Sequence, residues 1–357
     1  MTREIDLSII VPTYNERENL PILIERTSNI LKNTIKYEIV VVDDNSPDRT
    51  WEIALDYKKR GYPVKLVLRP RKMGLGSAIM DGIKNSQGKY IIVMDADLQH
   101  PPEVIPKLYK EAVKNQADVV LASRYVRGGG VEGWSFIRKL ISKGASLIAK
   151  IMLPQVRNIS DPMSGFFLIK RDAVKDIRIT PKSWKILLEI LVKGRYNKVI
   201  EVPYTFKPRA HGKSKLKLSD MLSYLKHVLM LSEYRIIKFA IVGASGIGVN
   251  LGILYTCREL IGLILPISLI IAFEASLTSN YILNDLWTFR GKRPKGINYW
   301  IKYWLKYHYA ALAGFIAYYL ITLTLTYLGM YYILAALIGI AIGFLSNFIL
   351  AQHTIWK

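Results

Sequence analysis

Asp95 and Asp97 stand two residues apart at the end of an apolar run, Ile91-Ile92-Val93-Met94, with Ala96 between them and the amide Gln99 two positions further on. Four apolar residues followed abruptly by carboxylates predict a buried strand whose polar end leaves the sheet. In an open α/β sheet that edge is where ligands collect. Two carboxylates and an amide carbonyl at this spacing suit a hard divalent cation, Mg2+ or Mn2+, already held by a diphosphate. The plain alternative is a surface turn with two solvated aspartates. The buried strand and the motifs that flank it argue for the site.

The elements that must position these carboxylates repeat one design. Leu7 to Val11 is a short apolar run leading into the polar loop Pro12-Thr13-Tyr14-Asn15-Glu16, and a helix begins near Asn19. Ile39 to Val42 ends in Asp43-Asp44-Asn45-Ser46-Pro47-Asp48, and Val64 to Leu68 ends in Arg69-Pro70-Arg71-Lys72. With Tyr90 to Met94 and Ala117 to Ser123, strands alternate with helices, which predicts an α/β domain with a mostly parallel sheet. Gly74-Leu75-Gly76 lacks a third glycine and reads as a tight loop opening a helix, not as a dinucleotide fingerprint. Several polar loops converging on one sheet edge are what a nucleotide pocket needs.

The segments Val11 to Glu16, Val42 to Asp48 and Asp95-Ala96-Asp97-Leu98-Gln99-His100-Pro101-Pro102-Glu103 together resemble family-2 glycosyltransferases of the Rossmann-like GT-A fold. Within that family the likeness is to the polyprenol-phosphate, or dolichol-phosphate, mannose synthases, over roughly residues 5 to 220. The resemblance implies metal-dependent transfer of mannose from GDP-mannose to a polyprenyl (dolichyl) phosphate, by one displacement that inverts the anomeric carbon. It implies that Asp95, Asp97 and Gln99 take the metal and diphosphate, with Ala96 between them. Pro12, Tyr14, Glu16 and Asp44 would line the nucleoside pocket, with Lys72 and Lys215 also on the donor side. Arg124, Arg138, Ser142 and Arg209 are the expected acceptor-phosphate residues, Arg209 serving the donor as well. Arg138 and Ser142 are four apart in a helical stretch, so they share a face and can hold one phosphate between them. A phosphate monoester is already nucleophilic near neutral pH, so no general base is required; cations must hold two anions together. The loop Glu201 to Lys215, basic and hinged at Gly212, suits closure over a diphosphate.

Composition separates the partners. The chain has 357 residues and a formal charge of +22 with half its residues apolar, a balance that suits an anionic partner. The apolar residues are concentrated: runs at Phe239 to Cys257, Ile261 to Leu283, Tyr309 to Leu328 and Tyr331 to Ala351 are each about the 20 residues that span a bilayer. Four transmembrane helices are expected, so the partner is a lipid bilayer and phosphorylated substrates, with no nucleic acid. Trp134 to Leu153 predicts an amphipathic interface helix with Trp134, Ile137, Ile141, Ile148 and Met152 on one side; the alternative is an ordinary helix docked on the sheet. Arg290, Lys292, Arg293, Lys295, Lys302 and Lys306 between the second and third spans place that loop, both termini and the catalytic domain in the cytosol of a plasma membrane or its equivalent. The expected domains are 1–215, an interface connector 216–235, and 236–357. Ser279-Asn280-Tyr281-Ile282-Leu283 recurs as Ser346-Asn347-Phe348-Ile349-Leu350, the mark of a duplicated hairpin. This half resembles GtrA-like membrane domains, with Asn280, Trp287 and Phe289 in the recurring pattern. The single cysteine, Cys257, excludes intrachain disulfides and thiolate metal sites.

Three other readings stand beside the mannosyltransferase. One exchanges the donor for UDP-glucose. A processive polysaccharide synthase needs a Q-x-x-R-W motif, and no tryptophan here follows an arginine. A lipid-carrier translocase with a nucleotide-sugar sensing domain needs a polar transport path, for which the spans carry little charge.

Overall fold

The computed structural model describes residues 5–175, 177–180, 185–209, 218–292 and 294–340. The chain divides into two compact units, Met1–His227 and Val228–Lys357.

In the first unit the apolar runs become β1 (Leu7–Thr13), β2 (Tyr37–Asp43), β3 (Val64–Leu68) and β4 (Tyr90–Val93), separated by α1 (Asn19–Leu31), α2 (Thr50–Lys59) and α3 (Leu75–Asn85). Gly74, at φ 100°, supplies the left-handed turn that opens α3, as the sequence predicts. Then follow α4 (Ile105–Asn115), β5 (Val119–Ser123), the short β6 (Gly130–Val131), α5 (Phe136–Met152), β7 (Phe167–Lys170), α6 (Ile186–Lys193), β8 (Val199–Pro203), β9 (Thr205–Phe206) and α7 (Leu218–Leu231). The seven-stranded sheet has the order β3-β2-β1-β4-β7-β5-β8. Every pairing in it is parallel except those of β7, which runs antiparallel between β4 and β5. The expected mostly parallel α/β sheet is present, and the reversed strand is the feature that sequence reading missed. Reversal matters for the site, because β7 brings its preceding loop to the same edge at which β4 delivers Asp95. The core is largely aliphatic, with Ile9, Val11, Ile39, Val41, Ile92 and Leu168 among its fully buried members.

The second unit contains α8 (Arg235–Tyr255), α9 (Leu265–Leu283) and α10 (Ile297–Tyr327). Wider turns extend the first two to Leu260 and Thr288, and among the described residues these are the helices long and apolar enough to cross a membrane on their own. The third begins at Ile297, ahead of the expected Tyr309, and passes only as a bent pair, Ile297–Leu312 and Gly314–Tyr327. Lys302 and Lys306 therefore sit on a helix and not in a loop. The fourth run is helical from residue 332 to 340; the remainder, including the repeat at Ser346, lies outside the described residues. On α8, Gly246 permits close packing: a Cβ there would run into the Asn280 amide, and Ser276 Oγ donates to the Gly246 carbonyl at 2.8 Å. Gly248 and Gly252 have open space beside them.

Candidate functional site

The C-terminal ends of β1, β2 and β3 form the nucleotide side. Asp43 is consumed by structure: its carboxylate accepts from Thr13 Oγ1 (2.7 Å), Ser46 N (2.8 Å) and Ser46 Oγ (2.7 Å), fixing one loop against the next. Asp48 likewise binds the backbone and hydroxyl of Thr50. Asp44, itself buried, meets the buried Arg69 at 3.0 Å and accepts from Met73 N at 3.2 Å. Lys72 lies over the Tyr14 ring, 4.0 Å from its centroid, so these two close one side together. Pro12 is the penultimate residue of β1. Glu16 reaches toward the carboxylate pair. Burial raises its carboxyl above the usual range, the bond from Asn19 opposes this, and Asp97 and Asp95 push it further.

The turn after β4 holds the second half. Leu98 adopts φ 62°, an uncommon conformation for a branched side chain, and the turn sets Asp97 and Gln99 side by side. Asp97 Oδ1 accepts from Gln99 N at 3.2 Å, and its Oδ2 pairs with Arg209 Nε at 2.8 Å. Arg209 also approaches Gln99 Oε1 at 3.3 Å, while Gln99 Nε2 donates to the Lys207 carbonyl at 3.1 Å. Ala96 is buried between the two aspartates. The Asp95 side chain is 47 % exposed and lines a cavity of about 520 Å³. Burial in the cleft pushes both carboxyls up; Lys185 and Arg209 oppose this at Asp95, and at Asp97 its neighbour Asp95 adds to it.

His100 orders this turn, a role that the sequence does not mark. Its Nδ1 accepts from Asp95 N at 3.0 Å, and the ring stacks on Phe166 at 5.3 Å. Burial drops its pKa to about 4, so the ring is neutral and the 3.7 Å approach of the Asp95 carboxylate to it is no ion pair. Gly165 lies against both: a Cβ there would come within 3.0 Å of the imidazole and 3.5 Å of Asp95 Oδ2.

The cavity joins Asp95 to the expected acceptor residues. Arg124, at the end of β5, makes paired 2.7 Å bonds to the fully buried Asp161 in the loop before β7. Burial works against that guanidinium's charge, and Asp161 more than restores it. Asp161 is itself held through its backbone by Glu201 on β8. Ser135 caps α5 by accepting from Arg138 N at 3.3 Å, and Arg138 and Ser142 both face the cavity, as their spacing predicts. Arg138 stacks over Trp134, 4.4 Å to the centroid, and Tyr125 donates to Ser142 Oγ at 2.7 Å. The apolar stripe expected on α5 is divided: Ile141 and Ile148 line the cavity and Met152 is buried, whereas Ile137 turns outward with Phe136, Leu140 and Leu147. Trp134 precedes the helix. Lys185, at the start of α6, also lines the cavity and belongs to no motif. Lys215 lies outside the described residues.

Two hard carboxylate ligands fit a divalent cation whose other positions a diphosphate and water fill. No group of three or more acidic, histidine or cysteine side chains within ligating reach exists among the described residues. A cation at this site thus needs the donor's own oxygens to complete its shell.

Residues 8–178 match the glycosyl transferase family 2, and residues 238–356 match the GtrA/DPMS transmembrane domain. A dolichol-phosphate mannosyltransferase of Pyrococcus furiosus is 48 % identical over 98 % of this chain and 99 % of its own length. Another from Saccharomyces cerevisiae is 36 % identical, covering 66 % of this chain and 89 % of that one. Among solved structures, glucosyl-3-phosphoglycerate synthase from Mycobacterium tuberculosis, in complex with Mn2+, UDP-glucose and phosphoglyceric acid, overlaps at a TM-score of 0.49 and 18 % identity, over 64 % of this chain and 80 % of that one. With a sheet edge built for a nucleotide and a membrane unit following it, the chain belongs to the dolichol-phosphate mannosyltransferases, pairing a family-2 glycosyltransferase domain with a GtrA/DPMS transmembrane domain.

Proposed function

We propose that the donor is GDP-mannose, that the acceptor is a dolichyl or other polyprenyl phosphate, and that transfer inverts the anomeric carbon on the cytosolic face of the membrane. The observation that carries this reading is the cavity itself. One end is charged, with Asp95, Arg124, Arg138 and Lys185, and its walls are apolar, with Ile141, Ile148, Met221 and Leu225 among them. A headgroup that is ionic and a tail that is hydrocarbon match such a lining.

Within that reading Pro12, Tyr14, Asp44 and Lys72 bind the nucleoside, and Glu16 sits between them and the carboxylates. Asp95 and Asp97 hold Mg2+ or Mn2+, which when bound neutralises charge on the leaving diphosphate. Arg209 pairs with Asp97 and approaches Gln99, so it serves the donor diphosphate and the acceptor phosphate from beside the carboxylates. Arg138 and Ser142 orient the lipid phosphate oxygen toward the sugar. The acceptor is ionised already, so no side chain has to remove a proton; His100 is neutral and its Nδ1 is occupied. The outward apolar residues of α5 meet lipid while its inner face meets the phosphate.

One assay tests the reading: purified chain in detergent with one polyprenyl phosphate, Mg2+ or Mn2+, and GDP-mannose, UDP-glucose or GDP-glucose in turn. Product from GDP-mannose alone, abolished by chelator, is expected. Preference for UDP-glucose overturns the donor assignment, and no lipid-linked sugar from any donor overturns the transferase reading in favour of a sensing role.

A further inference from the structure

The charges around the cavity do not balance once each pair is matched. Arg124 is engaged by Asp161 through two 2.7 Å bonds, and Arg209 by Asp97 at 2.8 Å. Asp95 belongs to the metal. Two cations remain that make no ion pair among the described residues, Arg138 and Lys185. A phosphate monoester carries a charge of about −1.5 to −2 near neutral pH, more than one guanidinium matches.

Lys185 is built into its place. Its carbonyl accepts from Glu189 N in the first turn of α6, and Glu189, fully buried, is bonded to Thr180, Lys193 and His227. The backbone at Lys185 is therefore fixed from behind, and its side chain lines the cavity. The charged groups facing it are Arg124 and Arg138, which repel it, and Asp161 and Asp95, which attract it. Burial and the two guanidiniums bring its pKa down to about 8. An ammonium kept half-buried beside two guanidiniums, with the nearest carboxylate already spent on one of them, creates a positive field that an anion entering the cavity relieves.

We propose that Lys185 binds the acceptor phosphate, supplying with Arg138 the two unpaired positive charges that match the dianion. This rests on the reading of the acceptor as a polyprenyl phosphate and adds to it a residue that no motif in the chain marks. Arg124 then acts chiefly as a fixed hydrogen-bond donor, its charge shared with Asp161.

The test uses the full-length chain in detergent with farnesyl phosphate as acceptor, farnesol as its uncharged counterpart and GDP-mannose as donor. K185Q should raise the KM for farnesyl phosphate by about tenfold or more, as loss of a charge-assisted contact does. Its KM for donor and its metal requirement should stay within about twofold of wild type, K185R should recover most of the loss, and inhibition by farnesol should be unchanged. Removing an unpaired half-buried charge does not threaten the fold. K185M, apolar and of similar length, gives a second reading, with thermal unfolding measured for all three variants. An unchanged acceptor KM in K185Q and K185M overturns the assignment. So does a loss confined to donor or metal, which would mean that Lys185 serves Asp95, or a K185R as defective as K185Q. Wild-type chain that transfers to no polyprenyl phosphate at all is a different failure, that of the acceptor reading itself, and removes this assignment with it.

Discussion

Arg124 and Arg138 line one cavity from opposite electrostatic positions. Arg124 is 8 % exposed and locked to Asp161, so Asp161→Ala strands a buried guanidinium and should destabilise the first unit by about 3 to 5 kcal/mol; thermal unfolding in detergent measures it, and a loss under 1 kcal/mol would show the pair to be dispensable. Arg138 rests on Trp134 without an ion pair, so Arg138→Ala should leave unfolding nearly unchanged. Its cost should appear as roughly 2 kcal/mol of affinity for lipid phosphate, with donor affinity intact. Titrating donor and acceptor separately decides between that outcome and a donor role. Asp97→Ala removes one of the two carboxylates proposed to hold the metal while the apolar strand beneath is untouched, so metal-dependent nucleotide binding and transfer should both fall by more than tenfold with the fold retained. Retained turnover above a tenth of wild type would sink the metal assignment. The same pair sets an acid limb. Both carboxyls are raised, so they are protonated at a pH where ordinary aspartates are ionised, and protons compete with the cation as pH falls. Metal titrations in the presence of GDP should weaken on acidification well before free carboxylates would titrate.

At the scale of elements, α6 and α7 are joined by a buried carboxylate. Glu189 is held down to a pKa of about 2; burial alone would raise it, and the bonds from His227, Lys193 and Thr180 prevail. Its folded value lies below the unfolded one of 4.5, so the stabilisation is present above pH 4.5 and is lost as pH falls toward 2. By linkage that is on the order of 3 kcal/mol. Glu189→Gln should lower stability at neutral pH and flatten the acid-unfolding profile in that window; a profile as steep as wild type would mean that other carboxylates carry it. Little of this joint is legible in the sequence, and the reason is physical. The nucleotide side announces itself because each loop follows an apolar strand, so polarity changes sharply at a known edge, and Asp44, Asp95 and Asp97 stand out. Arg138 and Ser142 follow from helical spacing. Partners brought together by folding leave no such trace: Asp161 is 37 positions from Arg124, and His227 is 38 from Glu189. The reversed strand β7 is equally silent, since Phe167 to Lys170 is short and apolar whichever way it runs. Sequence also assigns α5 one apolar stripe. The structure divides it because a cavity on one side and open surface on the other both favour apolar residues, and periodicity cannot distinguish them.

At the scale of the whole molecule, the division of labour is stark. Every candidate donor, metal and acceptor residue that the structure describes lies in the unit ending at His227, and the cavity that joins them is lined from Leu75 to Leu225. Among the described residues of the other unit, polar groups on different helices bond one another: Asn250 meets Tyr318 Oη at 3.2 Å, Asn284 meets Tyr307 Oη at 3.3 Å, and Trp304 Nε1 donates to Thr278 at 3.2 Å. Those contacts tie helices together. The first unit, meanwhile, keeps apolar surface of its own, with Phe136 78 % and Ile137 68 % exposed on α5 and Leu222 60 % on α7. Two helices presenting such faces can rest at a bilayer surface without a span to anchor them. A chain truncated after Tyr234 retains α7 entire and all of the cavity lining. It should therefore fold, bind liposomes peripherally, and transfer to short-chain polyprenyl phosphates at a rate within about tenfold of the full chain. Replacing Phe136 and Ile137 with Asp in the truncated protein should release it from liposomes while leaving transfer to farnesyl phosphate in detergent intact, since neither side chain lines the cavity. A truncated protein that is folded, shown by its cooperative unfolding, yet transfers to no acceptor would mean that the transmembrane helices complete the active site.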